Sequence, residues 1–235
     1  MSIEERFFDS REQMIDAVFE HSIEALREAI ETREAASFLV SGGSSPAPIY
    51  KRLSEAELDW DKIKVALVDE RWVDFDHDKS NEAFIVKTLL QNNAANAKLI
   101  GMKNTSATAS YGLAQCEAAY HTLASPFDVT VLGMGPDGHT ASLFPHAKGL
   151  TEALETKNLC SAISAIKSEV TGDCTERMTL SLAGIVNSRH LLLLISGDEK
   201  LATYREALAG DDVAEMPVRA VLKQHDVPVT VYWAP

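Results

Sequence analysis

The stretch FDVTVLGMGPDGHTASLFP, Phe127 to Pro145, decides how this chain is read. Its first six residues, Phe127 to Leu132, are mostly apolar and β-branched, the pattern of a strand buried in a sheet. Glycines at 133, 135 and 138 then end the strand, and Asp137 and His139 stand in the turn that follows. In open α/β sheets, ligands bind beyond the carboxyl ends of the strands, where such turns lie. An aspartate and a histidine in one turn can act together, the carboxylate fixing the tautomer of an imidazole base. A glycine-rich strand exit whose His139 satisfies a helix end is the plainer alternative. The residues after it, TASLFP, begin the next helix or turn, with Thr140 or Ser142 available as its cap.

Working outward, strands and helices alternate. Asp9 to Glu34 carries Ile15, Val18, Phe19, Ser22, Leu26, Ala29 and Ile30 at helical spacing, which predicts a long amphipathic helix. The run Ala36–Val40 is a strand ending in SGGSSP, and Pro46 suits the first turn of a helix over about 47–57. Lys64–Asp69 is a buried strand leading into DERW. Ser80 caps a helix to about Asn92, KLIGM is a short strand, and 107–123 is helical. Leu159–Ser164 and Met178–Leu182 are weaker strands. His190–Ser196 is a near-continuous apolar strand leading into GDEK and a helix over 199–209, and PVTVYWAP closes the chain as a strand. The alternation predicts one α/β domain over residues 1–235, with a mostly parallel sheet flanked by helices on both faces. SGGSSP, DERW, GMGPDGH and GDEK all follow strand-like runs and would gather at one edge of that sheet.

The chemistry of these loops is consistent. SGGSSP places Gly42, Gly43, Ser44 and Ser45 at a helix start, where backbone N–H groups and hydroxyls can cradle a phosphate. It has neither P-loop nor G-x-G-x-x-G spacing, so a serine-capped tight turn stays open. Asp69 and Arg71 emerge from a strand end, and Asp69 is a second possible orienter of the base. Arg177 and Lys200 are candidate anion ligands. Lys200 lies in the first turn of a helix, where a cation opposes the dipole, so a ligand role would explain it. No G-x-S-x-G is present, which argues against a serine hydrolase. His77 with Asp74, Asp76 and Asp78 has no metal-ligand spacing and reads as an acidic loop.

Composition narrows the partners. The 235 residues carry a formal net charge of −13, which disfavours nucleic acid and anionic membrane surfaces. No apolar run approaches the ~20 residues of a membrane-spanning helix, and MSIEERFFDSREQ lacks a signal peptide's apolar core. Cys116, Cys160 and Cys174 are widely spaced and odd in number, as in a reducing compartment. A cytoplasmic location is the expectation.

Taken in order, SGGSSP, VDERWV…KSN, LGMGPDGHTASLFP, ERMTLSL and LLLLISGDEK make the chain resemble the 6-phosphogluconolactonase family, within a wider group that includes glucosamine-6-phosphate deaminases. The resemblance implies a Rossmann-like parallel sheet and hydrolysis of 6-phospho-D-glucono-1,5-lactone to 6-phosphogluconate, the second step of the oxidative pentose phosphate pathway. It implies a small phosphorylated sugar lactone as partner, no cofactor and no metal, in a monomer or weak homodimer. By resemblance, Gly42, Gly43, Ser44 and Ser45 hold the phosphate together with Arg177 and Lys200. Arg71 lies near the sugar or lactone, and His139 is the general base beside Asp137 and Asp69. The deaminase branch carries a glutamate where this chain has Phe144, which disfavours that chemistry. A sugar-phosphate-binding regulator without catalysis would not need Asp137 and His139 together.

Overall fold

The chain alternates strands and helices in a computed structural model that describes residues 3–235. Strand β1 spans Glu4–Phe7 and helix α1 spans Arg11–Arg33; they are followed by β2 (Ala36–Val40), α2 (Ala47–Leu53), β3 (Ile63–Leu67), β4 (Asp69–Arg71) and α3 (Asn81–Thr88). Next come β5 (Lys98–Ile100), α4 (Ala109–Tyr120), β6 (Phe127–Gly133), α5 (Leu150–Glu155), β7 (Cys160–Ser164) and β8 (Glu176–Leu180). The last elements are α6 (Leu182–Val186), β9 (Ser188–Ser196), α7 (Asp198–Ala209), α8 (Val218–Lys223) and β10 (Val229–Ala234).

Seven strands form a parallel sheet in the order β1-β10-β9-β6-β2-β3-β5. Its central strands are apolar because both faces are covered: all five residues of β2 are buried, as are Leu191–Ile195 of β9. Helix α1 lies across β2, β6 and β10. Ser10 starts it by accepting from the Gln13 amide, and Glu34 ends it in the left-handed conformation at φ 57. Its inward residues include Val18, Leu26 and Ala29, none measurably exposed; a fully buried leucine of this kind contributes roughly 1.5–3 kcal/mol. Among the described residues no helix is long and apolar enough to cross a membrane.

The mostly parallel α/β sheet of the sequence reading is present, with four corrections. DERW is not a loop. Strand β3 ends at Leu67, and Asp69–Arg71 becomes β4 of a second, antiparallel sheet in the order β4-β8-β7. Val68 joins the sheets: its N–H donates to Val40 of β2, and its carbonyl accepts from Leu180 of β8. The two weaker strands, β7 and β8, belong to this small sheet, and β8 stops at Leu180 because Ser181 caps α6. Thr140 and Ser142 cap nothing. TASLFP forms a tight turn bridged from Thr140 to Leu143, and both hydroxyls are used elsewhere. Strand β1 is absent from the sequence reading because EERF has no apolar alternation; a short charged edge strand suits its place beside β10.

Candidate active site

The carboxyl ends of β2, β6 and β9 open on one side onto a cavity of about 290 Å³. It is lined by the turn Ser41–Pro46 after β2, by Gly133–Pro136 and His139 after β6, and by Lys200 in the first turn of α7. Asp69 and Arg71 of β4 and Arg177 of β8 reach it from the small sheet. All the predicted site residues therefore line one cavity except Asp137, which stands behind His139.

The turn after β6 is built to present the imidazole. Gly138 adopts φ +74, a conformation that side chains strain to reach. The Gly135 N–H donates to the His139 carbonyl, closing the turn. Asp137 Oδ1 lies 2.5 Å from His139 Nδ1 and also accepts from the His139 amide at 3.1 Å. Burial raises the Asp137 pKa, but the hydrogen bonds and charge of His139 outweigh it and hold the carboxyl below its ordinary range. An ionised Asp137 requires the proton on Nδ1, which leaves the Nε2 lone pair of His139 without a partner among the described residues. Behind the pair, a Cβ on Gly135 would fall 2.1 Å from both Nδ1 and Cε1 of His139.

Phe144 walls this side. Its ring centroid is 4.4 Å from that of His139, and the Arg177 guanidinium lies 5.2 Å from the same ring. Its position in the motif supplies no ionisable group.

Asp69 does not orient His139. Its Oδ2 accepts from Ser142 Oγ at 2.6 Å, and its Oδ1 accepts from Asn81 Nδ2 at 3.3 Å. Of the two carboxylates expected beside the base, only Asp137 touches it. Alternation along β4 sends Asp69 and Arg71 to the cavity and Glu70 away from it. The Glu70 carboxylate is fully buried. Its Oε1 accepts from the Arg71 and Asn81 amides, each at 2.8 Å, and its Oε2 accepts from the Glu82 amide at 2.7 Å. Burial pushes its pKa up to about 7.

At the opposite wall, Tyr50 ties down the start of the SGGSSP turn. Its hydroxyl donates to the Ser41 carbonyl at 3.0 Å and accepts from the Ser41 amide at 3.1 Å. Gly43 takes φ +104. Arg177 is only 3% exposed and spends Nε on the Cys174 carbonyl and Nη2 on that of Thr171, so it also anchors the 165–175 loop, whose Val170 reaches the cavity. Burial lowers the pKa of Arg177, helped by Arg71, its cross-strand partner. Burial likewise lowers Lys200. Three cations thus converge in a protein of strongly negative charge, an arrangement fit for a phosphorylated ligand. Among the described residues, Ser41 Oγ and Arg71 Nε, two buried polar atoms of cavity residues, have no hydrogen-bond partner.

The sequence reading gave no site role to Ser41 or Asn81, took Ser142 for a cap, and used Phe144 only to set the deaminase branch aside. Ser41, Ser142 and Phe144 all lie inside quoted motifs. Asn81 closes the KSN element, but nothing local tells that its amide lies between Asp69 and Arg71. Among the described residues no cluster of three or more His, Cys, Asp or Glu is arranged to hold a metal.

Known proteins resemble this chain along most or all of its length. Residues 9–233 match the family model described as glucosamine-6-phosphate isomerases/6-phosphogluconolactonase. A 6-phosphogluconolactonase of Rhizobium meliloti is 37% identical over 235 residues, covering 100% of both chains. One of Pseudomonas aeruginosa is 40% identical over 210 residues, 89% of this chain and 86% of its own. The crystal structure of a 6-phosphogluconolactonase from Shewanella baltica superposes with a TM-score of 0.94 at 41% identity, covering 100% of this chain and 98% of the other.

Proposed function

The chain belongs to the glucosamine-6-phosphate isomerase/6-phosphogluconolactonase family, and from that membership we propose a residue-by-residue course for its reaction. The activity is hydrolysis of 6-phospho-D-glucono-1,5-lactone to 6-phosphogluconate, in the oxidative pentose phosphate pathway. The observation that carries the mechanism is the His139–Asp137 pair at 2.5 Å on the wall of a cavity rich in cations.

Lys200, Arg177 and the Gly42–Ser45 turn hold the phosphate, with the orphaned Ser41 hydroxyl as a further donor. This places the lactone carbonyl toward the β6 turn. His139 Nε2 takes a proton from water as the water oxygen attacks C1, and Asp137 stabilises the imidazolium that forms. The carbonyl oxygen becomes an oxyanion, met by Arg71 or by backbone N–H groups of the turn. The imidazolium then gives its proton to the ring oxygen as the C1–O5 bond breaks. No covalent intermediate is required, because a lactone is an activated ester. A base worth ~10²–10⁴-fold together with orientation accounts for the acceleration.

The test is acid release from freshly generated 6-phosphoglucono-δ-lactone against its spontaneous rate, with unphosphorylated gluconolactone in parallel. Strong acceleration of the phosphorylated lactone alone is expected. Equal treatment of the two lactones refutes the phosphate cradle, and full activity in His139→Ala removes His139 from the mechanism.

A further inference from the structure

Asn81 is 4% exposed and stands at the first position of α3, with Ser80 as the cap before it. Its side chain meets three pieces of the cavity. Nδ2 donates to the Asp69 carbonyl at 2.9 Å and to Asp69 Oδ1 at 3.3 Å. Oδ1 accepts from Arg71 Nη1 at 3.0 Å. A Cβ on Gly42, in the SGGSSP turn, would fall 2.1 Å from that same Oδ1. The orientation of the amide is dictated by its neighbours, since a guanidinium can only donate and a carboxylate can only accept.

Asp69 and Arg71 stand two residues apart on one face of β4, with no direct ion pair between them among the described residues, and Arg71 Nη1 also donates to the Lys79 carbonyl at 2.9 Å. They meet through Asn81. A direct pair would occupy the guanidinium that a substrate needs, and binding would first have to break it. The spacer has to be short, with an acceptor at one end and a donor at the other. Aspartate would set an acceptor against the Asp69 oxygens, and leucine would fill the volume with neither group. The seat of Asn81 is rigid, because the Glu70 carboxylate holds both its backbone amide and that of Arg71.

We propose that Asn81 is a positioning residue that keeps the Arg71 guanidinium off the Asp69 carboxylate, so that Arg71 meets the substrate unpaired. The inference rests on the lactonase reading above.

The test is a double-mutant cycle in the full chain, using wild type, Asn81→Ala, Arg71→Ala and the double variant, with Asn81→Ser as a second spacer variant. The readouts are steady-state hydrolysis of 6-phosphoglucono-δ-lactone and calorimetric Kd for 6-phosphogluconate, which needs no turnover. Removing the spacer lets Arg71 close on Asp69 in the free enzyme. KM and Kd then rise about tenfold to a hundredfold, while kcat stays within a few-fold. In the Arg71→Ala background the same substitution changes Kd less than about twofold, because no arginine remains to collapse. Additive losses, an unchanged Kd in Asn81→Ala, or loss of folding in both Asn81 variants would overturn the proposal and assign Asn81 to structure alone. A wild type no faster than spontaneous hydrolysis would instead sink the lactonase reading, and this inference with it.

Discussion

Replacing Gly135 by alanine tests the catalytic geometry without touching a catalytic group. The backbone at Gly135 is not in the left-handed region, so alanine is conformationally admissible there. The added methyl, however, would begin 2.1 Å from His139 Nδ1 and Cε1 and 2.7 Å from Asp137 Oδ1, where ordinary contact starts at 3.4 Å. The imidazole must retreat by about 1.3 Å, or the turn must open by as much. A displacement of about 1 Å can lower turnover on the order of 10²-fold. Overpacking costs about 1–3 kcal/mol, offset by about 0.4–1 kcal/mol from the smaller conformational freedom of alanine in the unfolded chain. The net loss, at most about 2.6 kcal/mol, lowers Tm by no more than about 10 °C in a chain of this length. Acid release from the phosphorylated lactone, with a thermal melt of the same preparation, separates the effects. A folded Gly135→Ala protein with kcat within about threefold of wild type would refute the assignment of His139 and Asp137 as a precisely placed pair.

Three further outcomes are expected. Asp137→Asn lets an amide N–H face Nδ1 and favours the tautomer with its proton on Nε2; kcat should fall by roughly 10²–10⁴-fold with product Kd little changed, and a loss under tenfold would remove Asp137 as the orienter. Inorganic phosphate should raise Tm, since Arg71 and Arg177 oppose each other across β4 and β8 and like charges so placed repel; Lys200→Ala should shrink that rise, and an equal rise in both proteins would place the anion elsewhere. Burial lifts Glu70 to about 7, so the folded state favours its protonated form. Its contribution is then fully present below the unfolded carboxyl range and lost as pH rises through about 7, by on the order of 3 kcal/mol at most. Glu70→Gln should flatten that part of the Tm–pH curve while lowering Tm at acid pH, because its amide cannot accept the Glu82 N–H as Oε2 does; an unchanged slope would deny the titration.

What was legible in the sequence followed locality. Strands buried on both faces announce themselves by apolar runs, so β2, β6 and β9 were placed within a residue or two, and Ser80 was read as the cap it is. The Asp137–His139 pair was legible because both members lie in one turn. The β3–β4 break was not, since KVALVD reads as one continuous strand ending at Asp69 and only the pairing of Val68 with both Val40 and Leu180 divides it. The expectation that Asp69 could orient the base failed for the same reason. Ser142 and Asn81, its actual partners, are 73 and 12 residues away along the chain. Arg177 was identified as a cation near the ligand, but its hold on the Thr171 and Cys174 carbonyls comes from how the 165–175 loop folds back, which no spacing encodes.

The pairing of β4 with β8 bears on how this gene can change length. Asp69 faces Thr179 and Arg71 faces Arg177 across the ladder, all four on the cavity side. Because successive side chains in a strand alternate faces, inserting or deleting one codon within either strand would send its functional residues to the far side. Two codons would restore the facing. The 165–175 loop between β7 and β8 obeys no such parity, and added residues there lengthen a loop without inverting a strand. Descendants of this gene should therefore change length between β7 and β8 outside the 170–174 segment that reaches the cavity and holds Arg177, and in β4 and β8 only in even numbers.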